Sequence, residues 1–316
     1  MTRMPVEKSD DDIMSRPLYA AIEGGGTKFV CAIGQSADRV IDRAVIPTGE
    51  PAGTLARIHE FIADACSRHG PLDAIGVACF GPLDLRTDSP AYGRILSTPK
   101  PGWSGTDLLG PLRARFGVPV CIDTDVNAAA LAELTLGAAR GARSAAYVTV
   151  GTGIGGGFAP AARVADSLLH PEMGHLLVRR DPRDLRFSGI CPFHGDCLEG
   201  LASGPAIKAR WNADLSALGD LPDAASIIAG YLGQLAATIT LVASPQRLVF
   251  GGGVMTGGRL LPEVRRRASD FLNGYVAPLN EPASFDSYVV AARLGDAGLA
   301  GAFLLAAEAA PAARRT

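Results

Sequence analysis

A basic surplus is the first thing this chain lacks: 30 Lys and Arg stand against 32 Asp and Glu, a formal net charge of −2. That balance draws in neither nucleic acid nor an anionic membrane surface, so any phosphate binding has to be local. No uninterrupted apolar run reaches the roughly 18 residues of a membrane span. The acidic run "SDDD" (9–12) stands where an export signal needs apolar residues. These absences set the expectation of a cytoplasmic protein. The pattern G-x-x-x-x-G-K-[ST] is missing, which argues against an adenylate-type phosphate loop. Low-complexity segments and long linkers are missing too.

Histidine and cysteine are scarce, five and six in 316 residues, and unevenly placed. Cys31, Cys66, Cys79 and Cys121 lie singly in apolar segments, without the spacing of a disulfide framework, and read as reduced core residues. Three of the histidines and the other two cysteines cluster in "HPEMGH" (170–175) and "CPFHGDC" (191–197). His175, Cys191, His194 and Cys197 make a two-nitrogen, two-sulfur set that suits tetrahedral zinc. Four protein ligands leave no open position, so the predicted role is structural. His170 is then surplus and is expected to hydrogen-bond nearby. His59 and His69, on a surface-like helix, need no function, and Trp103 and Trp211 read as core.

Glycine is what the chain has in excess, 38 residues in all. It gathers in "EGGGTK" (23–28), "GTGIGGG" (151–157) and "GGGVMTGG" (251–258), each at the end of an apolar strand-like run. Gly151, Gly153 and Gly156 fit G-x-G-x-x-G, with Glu172 about 20 positions on, as in a dinucleotide-binding fingerprint. That reading predicts a zinc-containing NAD-dependent dehydrogenase. Successive glycines instead favour a hairpin, because the helix that the fingerprint needs has no starting signal here. A glycine hairpin bearing a hydroxyl occurs twice, with Gly25, Gly26 and Thr27, and with Gly151, Thr152 and Gly153. Such turns present backbone N–H groups to phosphate oxygens, and Lys28 adds charge to the first. Gly252 and Gly253 would then lie beside a flat ligand such as adenine.

Strands and helices alternate, which predicts an α/β sheet with ligand sites at strand C-terminal ends. The periodicity predicts a helix from Leu55 through Ala65, strands over 73–81 and 118–125, and a helix interrupted near Pro111. Further helices are predicted over 126–141, through "LASGPAIKARW", from about Asp223 to Ala243, through "RLLPEVRRRASDFLNGY", and near the end. The pattern strand, glycine turn, strand begins anew near residue 140, a hint of internal duplication. A flexible tail is expected over 1–17. Asp125, at a strand end between the two hairpins, is the candidate general base; helix capping is its alternative, and Asp123 competes for either role.

In order, "EGGGTK", "ACFGPLD", "DTDVNAAALAE", "GTGIGGG", "HPEMGH" with "CPFHGDCLEGLASGP", and "FGGGVM" resemble the signature segments of the ROK sugar kinases. "DTDVN", "STPKPGW" (97–103) and the C-x-x-H-x-x-C spacing resemble the fructokinase or mannokinase branch. The resemblance implies a two-domain, duplicated actin/hexokinase-like (ribonuclease H-like) fold with a cleft between domains. It implies an N-terminal α/β domain over 18–128, completed by a C-terminal helix at about 295–309. A larger domain follows over 129–294, with a zinc-bound loop at 170–200.

The implied activity is ATP-dependent phosphorylation of a hexose, D-fructose to fructose 6-phosphate foremost, with mannose, glucose or an N-acetylhexosamine as alternatives. Asp125 would be the base, and Mg²⁺ would bridge the nucleotide phosphates, with Glu23 reaching it through water. Substrate contacts would come from Gly81, Pro82, Thr124, Asn127, Glu172, His175 and Glu199, with Asn127 alternatively orienting the loop. Thr124 stands where many glucose-directed members have Asn, which favours ketohexose or mannose. Nucleotide contacts would come from Gly25, Gly26, Thr27, Lys28, Gly151, Thr152, Gly153, Gly204, Gly252, Gly253 and Val254. A homodimer is the implied assembly, with no nucleic-acid or membrane partner. A sugar-sensing regulator of the same family is the non-enzyme alternative; it would need a DNA-binding helix-turn-helix, and only 17 residues precede the first strand.

Overall fold

The computed structural model describes residues 16–160, 167–214, 217 and 222–311. Most of the expected tail, residues 1–15, lies outside that range. The described chain divides into two compact units. The first holds residues up to Asp84, Pro90–Asp123 and those from Ala302 onward; the second holds Leu85–Ser89 and Thr124–Gly301.

In the first unit, β1 (Tyr19–Gly24), β2 (Lys28–Ser36) and β3 (Arg39–Pro47) form an antiparallel meander. Then come α1 (Pro51–His69), β4 (Ala74–Cys79), α2 (Leu109–Phe116) and β5 (Val120–Thr124), giving the sheet order β3-β2-β1-β4-β5. The parallel pair β1 and β4 is almost wholly buried, as expected where parallel strands are covered on both faces. Helix α1 buries Thr54, Ile58, Ile62 and Ala65, one stripe at helical spacing, and stops at Gly70. Trp103 is fully buried, stacked on Phe29 at 5.4 Å between ring centres, and its Nε1–H donates to Gly49 O at 3.0 Å.

The second unit starts with α3 (Asp125–Thr135), β6 (Ala145–Val150) and β7 (Ile154–Ala159), then α4 (Leu198–Ala202), α5 (Gly204–Trp211), α6 (Pro222–Val242), β8 (Arg247–Gly251), α7 (Leu261–Leu272), α8 (Pro282–Tyr288) and β9 (Val289–Ala291). Helix α9 (Ala297–Ala309) is the last element of the described chain, and the division between units falls within it. The sheet order is β7-β6-β8-β9, with β6 antiparallel to β7 and parallel to β8. In the first unit β2-β1-β4 follows the same plan, a hairpin whose leading strand takes a parallel partner. Two α/β units of one strand plan give the duplicated actin/hexokinase-like fold. Helix α6 is long and apolar enough to cross a membrane, yet Ile228, Tyr231, Leu232, Leu235 and Ala236 bury it in this unit's core.

Several elements differ from expectation. Pro111 sits in the first turn of α2, where its missing N–H costs nothing, so it starts a helix instead of interrupting one. Helix α3 stops at Thr135 because the buried Glu133 carboxylate captures the backbone N–H of Ala138 and the N–H groups of Arg293 and Leu294, the latter two at 2.8 Å. "LASGPAIKARW" is two helices, broken where Ser203 caps the second. Strand β3 went unforeseen because it is an edge strand exposing Val40, Ile41 and Val45, and β9 because it has three residues. Trp211 is only half-buried, its ring under the Arg210 guanidinium at 4.6 Å.

Candidate functional site

The second unit brings most of the expected site residues together around β7. The run Gly155–Gly157 lies within this strand, and Gly157 shows why. A Cβ there would sit 2.5 Å from both the backbone N and the Oδ1 of Asn127. Glycine lets the start of α3 press onto the strand, and Asn127 Oδ1 accepts the Phe158 N–H at 3.0 Å. From the other side, a Cβ on Gly156 would strike the Met173 side chain, and one on Gly174 the Ile154 carbonyl. The tight turn Met173–His175 therefore rests on β7 as well. Glu199, on α4, completes the group by accepting the Ile154 N–H at 2.9 Å.

Three carboxylates result: Asp125 opening α3, Glu172 before the turn, and Glu199. Burial pushes the Glu172 carboxyl up to about 7, and the like charges of Glu199 and Asp125 push the same way. Its side chain keeps 38% of its surface, so water screens part of this effect. His170 Nδ1 lies 3.7 Å from Glu172 Oε1, and burial holds that imidazole below its usual range. The capping role that competed for Asp125 belongs to Thr124, whose buried hydroxyl accepts the Asn127 N–H at 3.1 Å. The charge of Asp123 adds to the upward shifts of Cys121 and Tyr92, and that of Asp125 to the upward shift of Glu172.

Three glycine segments meet beside this cluster. Gly151 O accepts the Gly204 N–H at 2.8 Å, a Cβ on Gly151 would lie 3.9 Å from Gly253 N, and one on Gly204 would lie 3.8 Å from the Val254 side chain. Gly252, at φ 91°, turns the chain where a Cβ would meet Val150 O at 2.4 Å. Thr152 stands exposed at the tip of the β6–β7 turn. Because this turn joins two antiparallel strands, it does not open a helix, and the dinucleotide fingerprint is excluded. Ser203 went unnoticed in the sequence although it caps α5 beside Gly151; the "SGP" step was its signal.

In the first unit, the β1–β2 turn carries Gly25, Gly26, Thr27 and Lys28, of which the last three are exposed. Gly25 N–H donates to Lys28 O at 2.9 Å, and Thr48 Oγ1–H to Gly25 O at 2.8 Å. Lys100, from "STPKPGW", donates its ammonium to Gly26 O, a contact the sequence reading had not assigned. Gly81 and Pro82, joined by a cis peptide bond, follow β4. Glu23 lies on β1, paired with Val30 on one side and Ala78 on the other.

The four metal-type ligands converge. Cys191 Sγ lies 3.7 Å from both His175 Nδ1 and His194 Nδ1, and Cys197 Sγ lies 3.6 Å from His175 Nδ1. A zinc tetrahedron with bonds of about 2.0–2.3 Å has edges of about 3.6 Å, so these three separations match that ion. All four fall within 4.8 Å of one another. The loop is shaped for this: Cys191 and Gly195 exchange backbone hydrogen bonds at 3.0 and 2.9 Å across a turn with Gly195 at φ 64°. Arg180 braces it by donating to Asp196 at 2.9 Å and to Phe187 O. The other cysteines form no disulfide, and burial pushes Cys31 up to about 12 and Cys121 to about 11.

This fold, with carboxylates beside glycine turns, is that of a sugar-kinase-like phosphotransferase. Residues 19–309 match the ROK family model, and the chain belongs to the ROK family. A fructokinase of Zymomonas mobilis is 45% identical over 295 residues, covering 92% of this chain and 97% of that one. The ROK hexokinase of Thermus thermophilus superimposes with a TM-score of 0.70 at 31% identity, covering 92% and 97%. A ROK family glucokinase from Streptomyces griseus, solved with glucose and AMPPNP, gives 0.69 at 26% identity, covering 92% and 99%.

Proposed function

We propose that this chain transfers the γ-phosphoryl group of ATP to the 6-hydroxyl of D-fructose, with Asp125 as general base. The observation that carries the reading is the convergence of Asp125, Glu172 and Glu199 on β7, directly beside the Gly151–Gly153 turn. Fructose is favoured over glucose because the fructokinase relative is 45% identical, against 26% for the glucokinase.

Phosphoryl transfer through a loose transition state asks the protein for positioning and charge management more than for covalent chemistry. Asp125 takes the hydroxyl proton late in the transfer. Its place at the start of α3 is fixed by the Thr124 cap and the Asn127–Phe158 bond. Glu172, titrating near neutrality, can donate or accept a hydrogen bond to a sugar hydroxyl. Gly151, Thr152, Gly153, Gly204, Gly252, Gly253 and Val254 form the nucleotide surface of the second unit. Gly25, Gly26, Thr27 and Lys28 form the corresponding phosphate-type turn of the first unit. Gly81 and Pro82 are assigned to the sugar side. Mg²⁺ carried with the nucleotide would neutralise charge on its phosphates.

Zinc held by His175, Cys191, His194 and Cys197 is structural in this reading. With four protein ligands it offers no open position, and its contribution is to fix the turn that carries Glu172. His175 binds through Nδ1, which leaves Nε2 for the sugar neighbourhood. The assembly is read as a homodimer.

The test is ADP release from MgATP with fructose as acceptor. Asp125→Asn is expected to keep the fold and nucleotide affinity while losing at least about a hundredfold in kcat. Turnover near that of the unaltered protein would remove Asp125 from the role.

A further inference from the structure

At the end of β8 opposite its glycine turn, the second unit contains a cavity of about 520 Å³. Its walls come from the end of α6, residues 244–247, the loop before α8, and α8 itself. The five residues of β8 separate it from Gly252 by about 16 Å at ~3.3 Å per residue, so it is distinct from the nucleotide surface. Its size lies within the usual range for small-molecule sites, about 300–1,000 Å³.

The chemistry of the walls is specific. Arg247 is the one charged residue in the lining. Its guanidinium donates to the neighbouring Gln246 O at 2.8 Å, and no carboxylate pairs with it among the described residues. Gln246 Oε1 accepts the Arg143 N–H at 2.7 Å, so what this amide has left to offer is its NH₂. The hydroxyls are committed the opposite way. Ser244 Oγ–H donates to Thr240 O at 2.7 Å, Ser287 Oγ–H to Ser284 O at 3.0 Å, and Thr240 Oγ1–H to Ala236 O at 2.7 Å. Tyr288 OH, 3.0 Å from Thr240 Oγ1, is left to donate there. With their protons spent inward, these groups show lone pairs to the cavity. Leu279 and Val276 give it an apolar side.

A ligand suited to these walls carries one anionic group for Arg247 and Gln246, hydroxyl donors for the serine and tyrosine lone pairs, and a C–H face for Leu279. We propose that this cavity is a binding site for a phosphorylated sugar, separate from the site of phosphoryl transfer. A free sugar lacks the anion, and inorganic phosphate lacks the hydroxyls.

The experiment is calorimetric titration of fructose 6-phosphate into the full chain, with saturating fructose and magnesium AMPPNP filling the transfer site. One further site per chain is expected, weakened at least tenfold by Arg247→Ala, with kcat and KM for fructose unchanged. Ser287→Phe, which fills the exposed mouth without removing the cation, is expected to weaken it likewise. Three results would overturn the proposal: no binding once the transfer site is filled, equal binding by Arg247→Ala, or inorganic phosphate binding as tightly as the sugar phosphate. Binding is read without turnover, so failure of the kinase reading would leave this outcome interpretable.

Discussion

Glu172 is the residue whose chemistry the fold alters most visibly. Its carboxyl titrates near 7 because burial and then the charges of Glu199 and Asp125 disfavour the anion. Since the folded-state value lies above the usual 4.5, the folded protein holds more protons than the unfolded chain between those two values. The favourable contribution is therefore full below about pH 4.5 and lost as pH rises through about 7. Glu172→Gln should remove this dependence. Thermal melts at pH 5 and pH 8 are expected to show the unaltered protein losing more stability over that interval than the variant; parallel losses would mean that Glu172 is not perturbed. Asp125 and Thr124 show what local sequence could and could not settle. "DTDVN" announced a helix start with two candidate caps, Asp123 and Asp125, and the geometry gives the cap to Thr124 between them.

At the scale of elements, the glycines of "GTGIGGG" mean something other than what their spacing suggested. Gly151–Gly153 make the turn, while Gly155–Gly157 are strand residues that let α3 and the Met173–His175 turn approach β7. Gly157→Ala is expected to cost about 1–3 kcal/mol by overpacking. It should also lower kcat, because the collision lies at the Asn127 backbone beside Asp125. Denaturant unfolding together with turnover checks both; an unchanged midpoint would refute the close approach. The convergence of His175, Cys191, His194 and Cys197 was legible from spacing, since C-x-x-H-x-x-C with a histidine upstream leaves few other uses for those side chains. Metal analysis of the purified protein is expected to give about one zinc per chain. Cys191→Ser should lower both the metal content and the melting temperature, as expected when metal binding is coupled to folding. Less than about half an equivalent in the unaltered protein would count against a structural zinc. What the sequence concealed were pieces without periodicity: the edge strand β3, the short β9, and the early end of α3 that Glu133 imposes through one local and two long-range N–H contacts.

For the whole molecule, duplication was readable because each half opens with two apolar strands around a glycine turn, and the sheets bear this out in β2-β1-β4 and β7-β6-β8. Sugar preference was less readable. It depends on hydroxyl contacts made by side chains far apart in sequence; the local clues were "DTDVN", "STPKPGW" and the C-x-x-H-x-x-C spacing, together with Thr124, which is buried and caps α3. ATP-dependent phosphorylation of fructose is the activity on which the site assignments rest, and ADP release from MgATP across fructose, mannose, glucose and an N-acetylhexosamine measures it. The highest kcat/KM is expected for fructose, with the product phosphorylated at the 6-hydroxyl. Higher kcat/KM for glucose, or no sugar-dependent ADP release with any of the four, would contradict it.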